Sequence, residues 1–204
     1  TKEMKDAHEF NIIFNDLEDS LADYLDEAEK KLDIKTIDRT KFYEHLVFPE
    51  DFLTLADRNK VYAYKQNWKG NAWNISIITF NYTRSLEKIL ENESDRLILS
   101  LRDYDTYVDP VEHMHGFTDE RMVLGVNDIT QIKKKKFHAN PDVIETLVKN
   151  SCNQAQKHLI DISCKNMIEK ANLICIFGSS IGKTDKYLWE IIGKTTHVLL
   201  ISII

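Results

Sequence analysis

Three short stretches bring together groups that can bind or turn over a ligand. Residues 75–83 read Ile-Ser-Ile-Ile-Thr-Phe-Asn-Tyr-Thr, an apolar run closing in a polar cluster. Asn81 offers an amide donor and a carbonyl acceptor there, and Thr83 a hydroxyl. Residues 111–116 read Val-Glu-His-Met-His-Gly. An imidazole at His115 titrates near neutrality, which suits it to take and return a proton. Gly116, directly after it, allows backbone or ligand to come close to the ring. Residues 173–185 are an apolar run, then Gly178, Ser179 and Ser180, then Asp185 ahead of a helical pattern. A small-residue turn between a strand and a helix start suits a phosphate or a ribose.

Each group also has a structural explanation. Thr83 can cap a helix and Asn81 can close a turn. Ser179, Ser180 and Asp185 can cap the helix that follows. His113 and His115, two residues apart on a strand, share a face and form a conceivable metal pair. No third ligand follows at a recognisable spacing, so no metal site is expected. Residues 178–184 resemble a P-loop, but only three residues separate Gly178 from Gly182-Lys183 where that loop needs four. The loop wraps phosphate with a fixed number of amides, so a P-loop is not expected. The lysine run 133–136 reads as a solvated loop.

These residues need elements to hold them. Strands are expected at 75–80, 111–115, 173–177 and 197–203, with helices at 85–92 and 187–192. Strands alternating with helices predict an α/β fold, Rossmann-like, with a mainly parallel sheet flanked by helices. In such a sheet the carboxyl ends of the strands share one edge, where ligands bind. Asn81, His115 and the 178–180 backbone are therefore expected to converge on one cleft. Ahead of the sheet, 8–32 is a helix with an apolar stripe of Phe10, Ile13, Phe14, Leu17, Leu21 and Leu25. A second helix begins at Pro49 and ends near Gly70. Residues 97–99 could add a short strand, and 104–110 reads as loop. The apolar stripe of 141–171, interrupted near Asn150, reads as helical core. The helical region 1–72 is expected to pack on the α/β core 73–204 as one structural domain.

Composition narrows the function. The chain has 204 residues, 43% hydrophobic and 29% charged, as in an ordinary globular protein. Its 27 basic against 33 acidic residues give a net charge of -6, which argues against a general nucleic-acid binder. No run is long and apolar enough to span a bilayer, so no membrane partner is expected. The charged first ten residues carry no leader pattern. Cys152, Cys164 and Cys175 are far apart and read as free thiols of a cytoplasmic protein.

Five motifs occur in order: Asn-Asp-Leu-Glu18, Thr-Phe-Asn-Tyr-Thr83, His113-Met-His-Gly116, Leu124-Gly-Val-Asn-Asp128, and Gly178-Ser-Ser with Asp185-Lys-Tyr187. Together they resemble the AbiH family of bacterial abortive-infection proteins, itself distantly similar to sirtuins. The resemblance implies antiphage defence, a sirtuin-like nucleotide-binding domain, and NAD as ligand or substrate, without a metal. It implies cleavage of the nicotinamide–ribose bond through an oxocarbenium-like transition state. His115 and Asn81 would then be catalytic, the first as a base and the second positioning water or ribose. Thr83, Gly116, Gly178, Ser179, Ser180 and Asp185 would hold the cofactor, and Glu18 has no assigned role. Expected partners are a small nucleotide, a phage-derived trigger and a second copy of the chain. A second reading stays open, in which the domain senses a nucleotide or phage component without chemistry. Family members begin with a strand and an Asn-Gly-Phe-Asp turn; none precedes Phe10, so a shallow, one-sided pocket is expected.

Overall fold

The computed structural model describes residues 6–92, 95–102, 104–179, 181–195 and 199–203. Helix α1 (Ala7–Lys30) starts at Asp6, whose carboxylate accepts from the Glu9 amide. Its inner face presents Phe14, with Phe10 packed on Phe14 and on Phe137. Ile13 and Leu17 lie outside that face, 45% and 59% exposed, so part of the apolar stripe faces outward.

Helix α2 (Arg39–Val47) is capped by Asp38. The single helix expected from Pro49 divides into a short 3-10 turn, Pro49–Phe52, and helix α3 (Leu55–Lys65). The break falls where the Thr54 hydroxyl accepts from the Asp57 amide and starts a new helix.

The strands do not form one sheet. Strand β1 (Trp73–Ile75) pairs in parallel with β4 (Tyr104–Val108), and β3 (Leu97–Leu101) pairs antiparallel with β4. Strand β2 (Ile78–Thr79) pairs in parallel with β5 (Glu112–His113). Strand β6 (Leu173–Phe177) pairs in parallel with β7 (Leu199–Ile203). The class is α/β as expected, but the strands fall into three small sheets, one of them mixed, in place of a continuous Rossmann-like sheet.

The break has a physical cause. Three steps along one strand, from Ile75 to Ile78, are matched by four on its partner, from Val108 to Glu112. The extra residue lies in the stretch holding Pro110, which has no N–H for the ladder. Hydrogen bonds resume on each side, from the Asp109 amide to Ile75 and from the Glu112 amide to Ile77. The stretch 104–110, expected to be loop, is strand as far as Val108, with Thr106 and Val108 fully buried between more exposed neighbours. Of the strand expected at 197–203, residues 197 and 198 lie outside the described residues.

Helix α4 (Ser85–Leu90) follows β2. Helices α5 (Pro141–Leu147), α6 (Lys149–Ala155) and α7 (Ile160–Lys170) replace the long helical region, and α8 (Lys186–Lys194) follows β6. Met114, Cys164, Ile168 and Leu188 form the core around which Phe80, Ile174 and Ile191 pack, joining β2, β5, β6, α7 and α8. The cysteines are unpaired. No described helix is long and apolar enough to cross a membrane.

Candidate functional site

His115 follows the end of β5. The Met114 amide extends the ladder by one step to Thr79, and the His115 carbonyl accepts from the Val123 amide. Gly116 turns the chain with a φ of +70°, and a Cβ there would overlap the Arg121 carbonyl. Of the two approaches expected at this glycine, backbone or ligand, the structure shows the backbone, in the returning chain at Arg121.

The imidazole, 5% exposed, lies in a polar cluster. Its Nε2 is 2.8 Å from Asp185 Oδ1 and 3.1 Å from Lys149 Nζ. Lys149 Nζ donates to the same Asp185 oxygen at 2.7 Å. Burial alone would raise the Asp185 pKa, but hydrogen bonds from His115 and Lys149, with the Lys149 charge, hold it well below the usual carboxylate range. The rings of Phe80 and Tyr82 flank the imidazole at 5.4 and 6.1 Å. Its Nδ1 is buried with no hydrogen-bond partner among the described residues. When Nε2–H donates to Asp185, Nδ1 carries the free lone pair.

Tyr82 closes one side of this cluster. Its hydroxyl donates to the Val123 carbonyl at 3.2 Å. Burial, then the negative charges of Asp185 and Glu18, push it up to about 12. The Glu18 that contributes here belongs to the first of the five motifs. Burial and the neighbouring Asp19 raise its own pKa.

Two distant segments set Lys149 and Asp185. Gly125 lies against the Leu147 carbonyl so closely that a Cβ would overlap it. The Val126 amide donates to Leu147, and the Lys149 amide donates back to Val126. This clasp fixes the junction of α5 and α6 and so the root of Lys149. Asn127 Oδ1 then accepts from the Tyr187 amide at 2.8 Å, capping the first turn of α8 beside Asp185.

A cavity of about 170 Å³ opens on the cluster, lined among others by Phe80, His115, Asn127, Lys149, Asp161 and Asp185. Burial raises the Asp161 pKa, against the opposing hydrogen bond from Asn153. Among the described residues no three His, Cys, Asp or Glu side chains gather to hold a metal.

Of the residues singled out in sequence, His115 and Asp185 meet at this cavity. Asn81 does not line it: its side chain is exposed, and its carbonyl accepts from His113 Nδ1 at 2.8 Å. His113 Nε2 is 2.6 Å from Glu87, so the two histidines serve different clusters. The Thr83 hydroxyl contacts Ser85, which donates to Glu29 of α1. Gly178, with a φ of +59°, and Ser179 follow β6 and do not line the cavity. Ser180 lies outside the described residues. Sequence reasoning missed Lys149 and Asp161, which sit in a stretch read as core. The available signal was polar residues adjoining an apolar stripe beside a helix break.

Fold and site together define an α/β protein with a part-buried Asp–His–Lys cluster at a small cavity. The chain matches the family model described as Bacteriophage abortive infection AbiH over residues 3–203, and so it belongs to that family. No curated protein and no solved structure matches it.

Proposed function

We propose that this chain acts in abortive infection by hydrolysing a ribosyl nucleotide, with NAD the first substrate to test. The supporting observation is the His115 ring, with Nε2 against Asp185 and Nδ1 unpartnered. Asp185 accepts from Nε2–H and fixes the ring, leaving Nδ1 to take a proton from water. Water adds to the anomeric carbon as the bond to nicotinamide breaks, giving ADP-ribose, nicotinamide and one proton held by His115. The positive charge of the oxocarbenium-like transition state is favoured by the nearby Asp185 and Asp161 carboxylates. Lys149 keeps Asp185 ionised.

At about 170 Å³ the cavity is smaller than the ~300–1,000 Å³ of pockets that enclose a whole ligand. In this reading it takes the reacting ribose, and the remainder of the nucleotide extends outward. Asn81, proposed from sequence as a catalytic group, acts instead through its carbonyl, which fixes His113.

A second reading, binding without turnover, draws support from Lys149 Nζ lying 3.1 Å from His115 Nε2, which fits an imidazole held as an acceptor. A mass-spectrometric survey of nucleotides incubated with the protein separates the two. Loss of NAD with release of nicotinamide supports hydrolysis, and retention of every nucleotide supports the sensing reading.

A further inference from the structure

The turn that follows His115 also shapes a second cavity, of about 330 Å³, on the far side of Met114 and Asn153, which line both. That volume falls within the ~300–1,000 Å³ range of small-molecule sites. Val111, Met114 and Ile160 give it an apolar wall, and Leu159 adds an apolar rim, 70% exposed. Its polar groups include Arg121, His158, Glu112 and Ser163, with His113 and Asn153.

Arg121 is held in place by the turn. Gly116 packs onto its carbonyl, and its own φ of +59° is a conformation uncommon outside glycine. Lys157, next to His158, has the same φ of +59°. Such backbones gather at ligand clamps, where the surrounding structure holds them. Arg121 Nη1 lies 3.2 Å from His158 Nδ1 and its Nε lies 3.1 Å from Glu120. Its Nη2 has no partner among the described residues. The Ser163 hydroxyl donates to Glu112 Oε1 at 3.1 Å, orienting a carboxylate that still has an oxygen to accept with.

We propose that this cavity is a second ligand site and takes a nucleoside monophosphate. The Arg121 guanidinium, held against His158, meets the phosphate, since a planar charged donor matches its oxygens. Glu112 accepts from ribose hydroxyls, and the base lies against Val111, Met114 and Ile160. Occupancy is felt next door through Asn153, which lines both cavities and donates to Asp161 at 3.0 Å. This site goes beyond the proposed hydrolysis and does not depend on it.

The test is a methyl NMR titration of the whole chain with AMP, adenosine and inorganic phosphate. Ile160 and Leu159 line only the second cavity, and Leu188 only the first. AMP is expected to shift Ile160 and Leu159 saturably, with adenosine at least about tenfold weaker and phosphate competing. Arg121→Gln should weaken AMP by about tenfold or more, whereas His115→Gln should leave these shifts in place. The proposal is overturned by shifts confined to Leu188, by AMP and adenosine binding alike, by no competition from phosphate, or by full AMP affinity in Arg121→Gln. Should that variant fail to fold, the AMP–adenosine difference in the wild type decides. Nicotinamide release from NAD is measured independently of these shifts, so failure here leaves the hydrolysis reading untouched.

Discussion

His115 and Asp185, 70 residues apart in sequence, meet with 2.8 Å between Nε2 and Oδ1. The contact joins the end of β5 to the start of α8, and Lys149 of α6 closes it from a third side. Three elements thus depend on one carboxylate.

That dependence is testable through stability. Asp185→Asn leaves the Lys149 ammonium without its countercharge in a part-buried place, which should cost roughly 1–3 kcal/mol at neutral pH. The Asp185 pKa is lowered in the folded state. Its contribution is therefore complete above the unfolded carboxylate pKa of about 4 and is lost as pH falls below that. Urea denaturation across pH should show the wild-type advantage flat above about pH 5 and shrinking towards pH 3. An advantage that grows in acid would contradict the assignment.

Asp161 should behave in the opposite sense. Its pKa is raised by burial, so ionising it weighs against folding once pH exceeds the unfolded value. Asp161→Asn keeps the oxygen that accepts from Asn153 and removes the charge. The variant is expected to melt at or above the wild-type temperature at pH 7, with the difference vanishing near pH 3. A lower melting temperature at pH 7 would count against it.

The two motif glycines should separate on mutation to alanine. Gly178→Ala meets open space and bears only the left-handed backbone cost, roughly 1–2 kcal/mol. Gly116→Ala bears the same cost and also overlaps the Arg121 carbonyl, so it should lose clearly more stability. Equal losses would mean that the 116–121 turn opens without cost.

Lys133 and Lys135 are exposed, on either side of the half-buried Lys134. Reversing both charges should change stability by no more than about 0.5 kcal/mol and leave nucleotide turnover unchanged. Loss of turnover with an intact fold would mark a phosphate track.

Sequence pattern located much of this molecule. Strand β6 occupies the residues its uninterrupted apolar run indicates, and β2, β5 and β7 begin and end inside their expected runs. The helices α1, α4 and α8 lie close to their periodic patterns. The break between the first two sheets was not legible, because it depends on a one-residue mismatch near Pro110 between strands whose paired residues, Ile75 with Val108 and Ile78 with Glu112, are far apart in sequence. Neither was the role of Gly116, since a glycine before a tight turn and one beside a ligand look the same in sequence. Lys149 was hidden because a helix junction fixes it through backbone bonds to Val126, which no side-chain pattern records. The expected convergence of Asn81 with His115 fails for the opposite reason: the Asn81 side chain is exposed away from the cavity, while its carbonyl holds His113.

The most direct measurement is the rate of nicotinamide release from NAD by purified wild-type protein and by His115→Gln. A positioned general base contributes about 10²–10⁴-fold. The wild type should release nicotinamide and ADP-ribose in equal amounts, and the variant should be slower by at least about 100-fold while still folded. No release by the wild type, or an undiminished rate in the variant, would contradict the account.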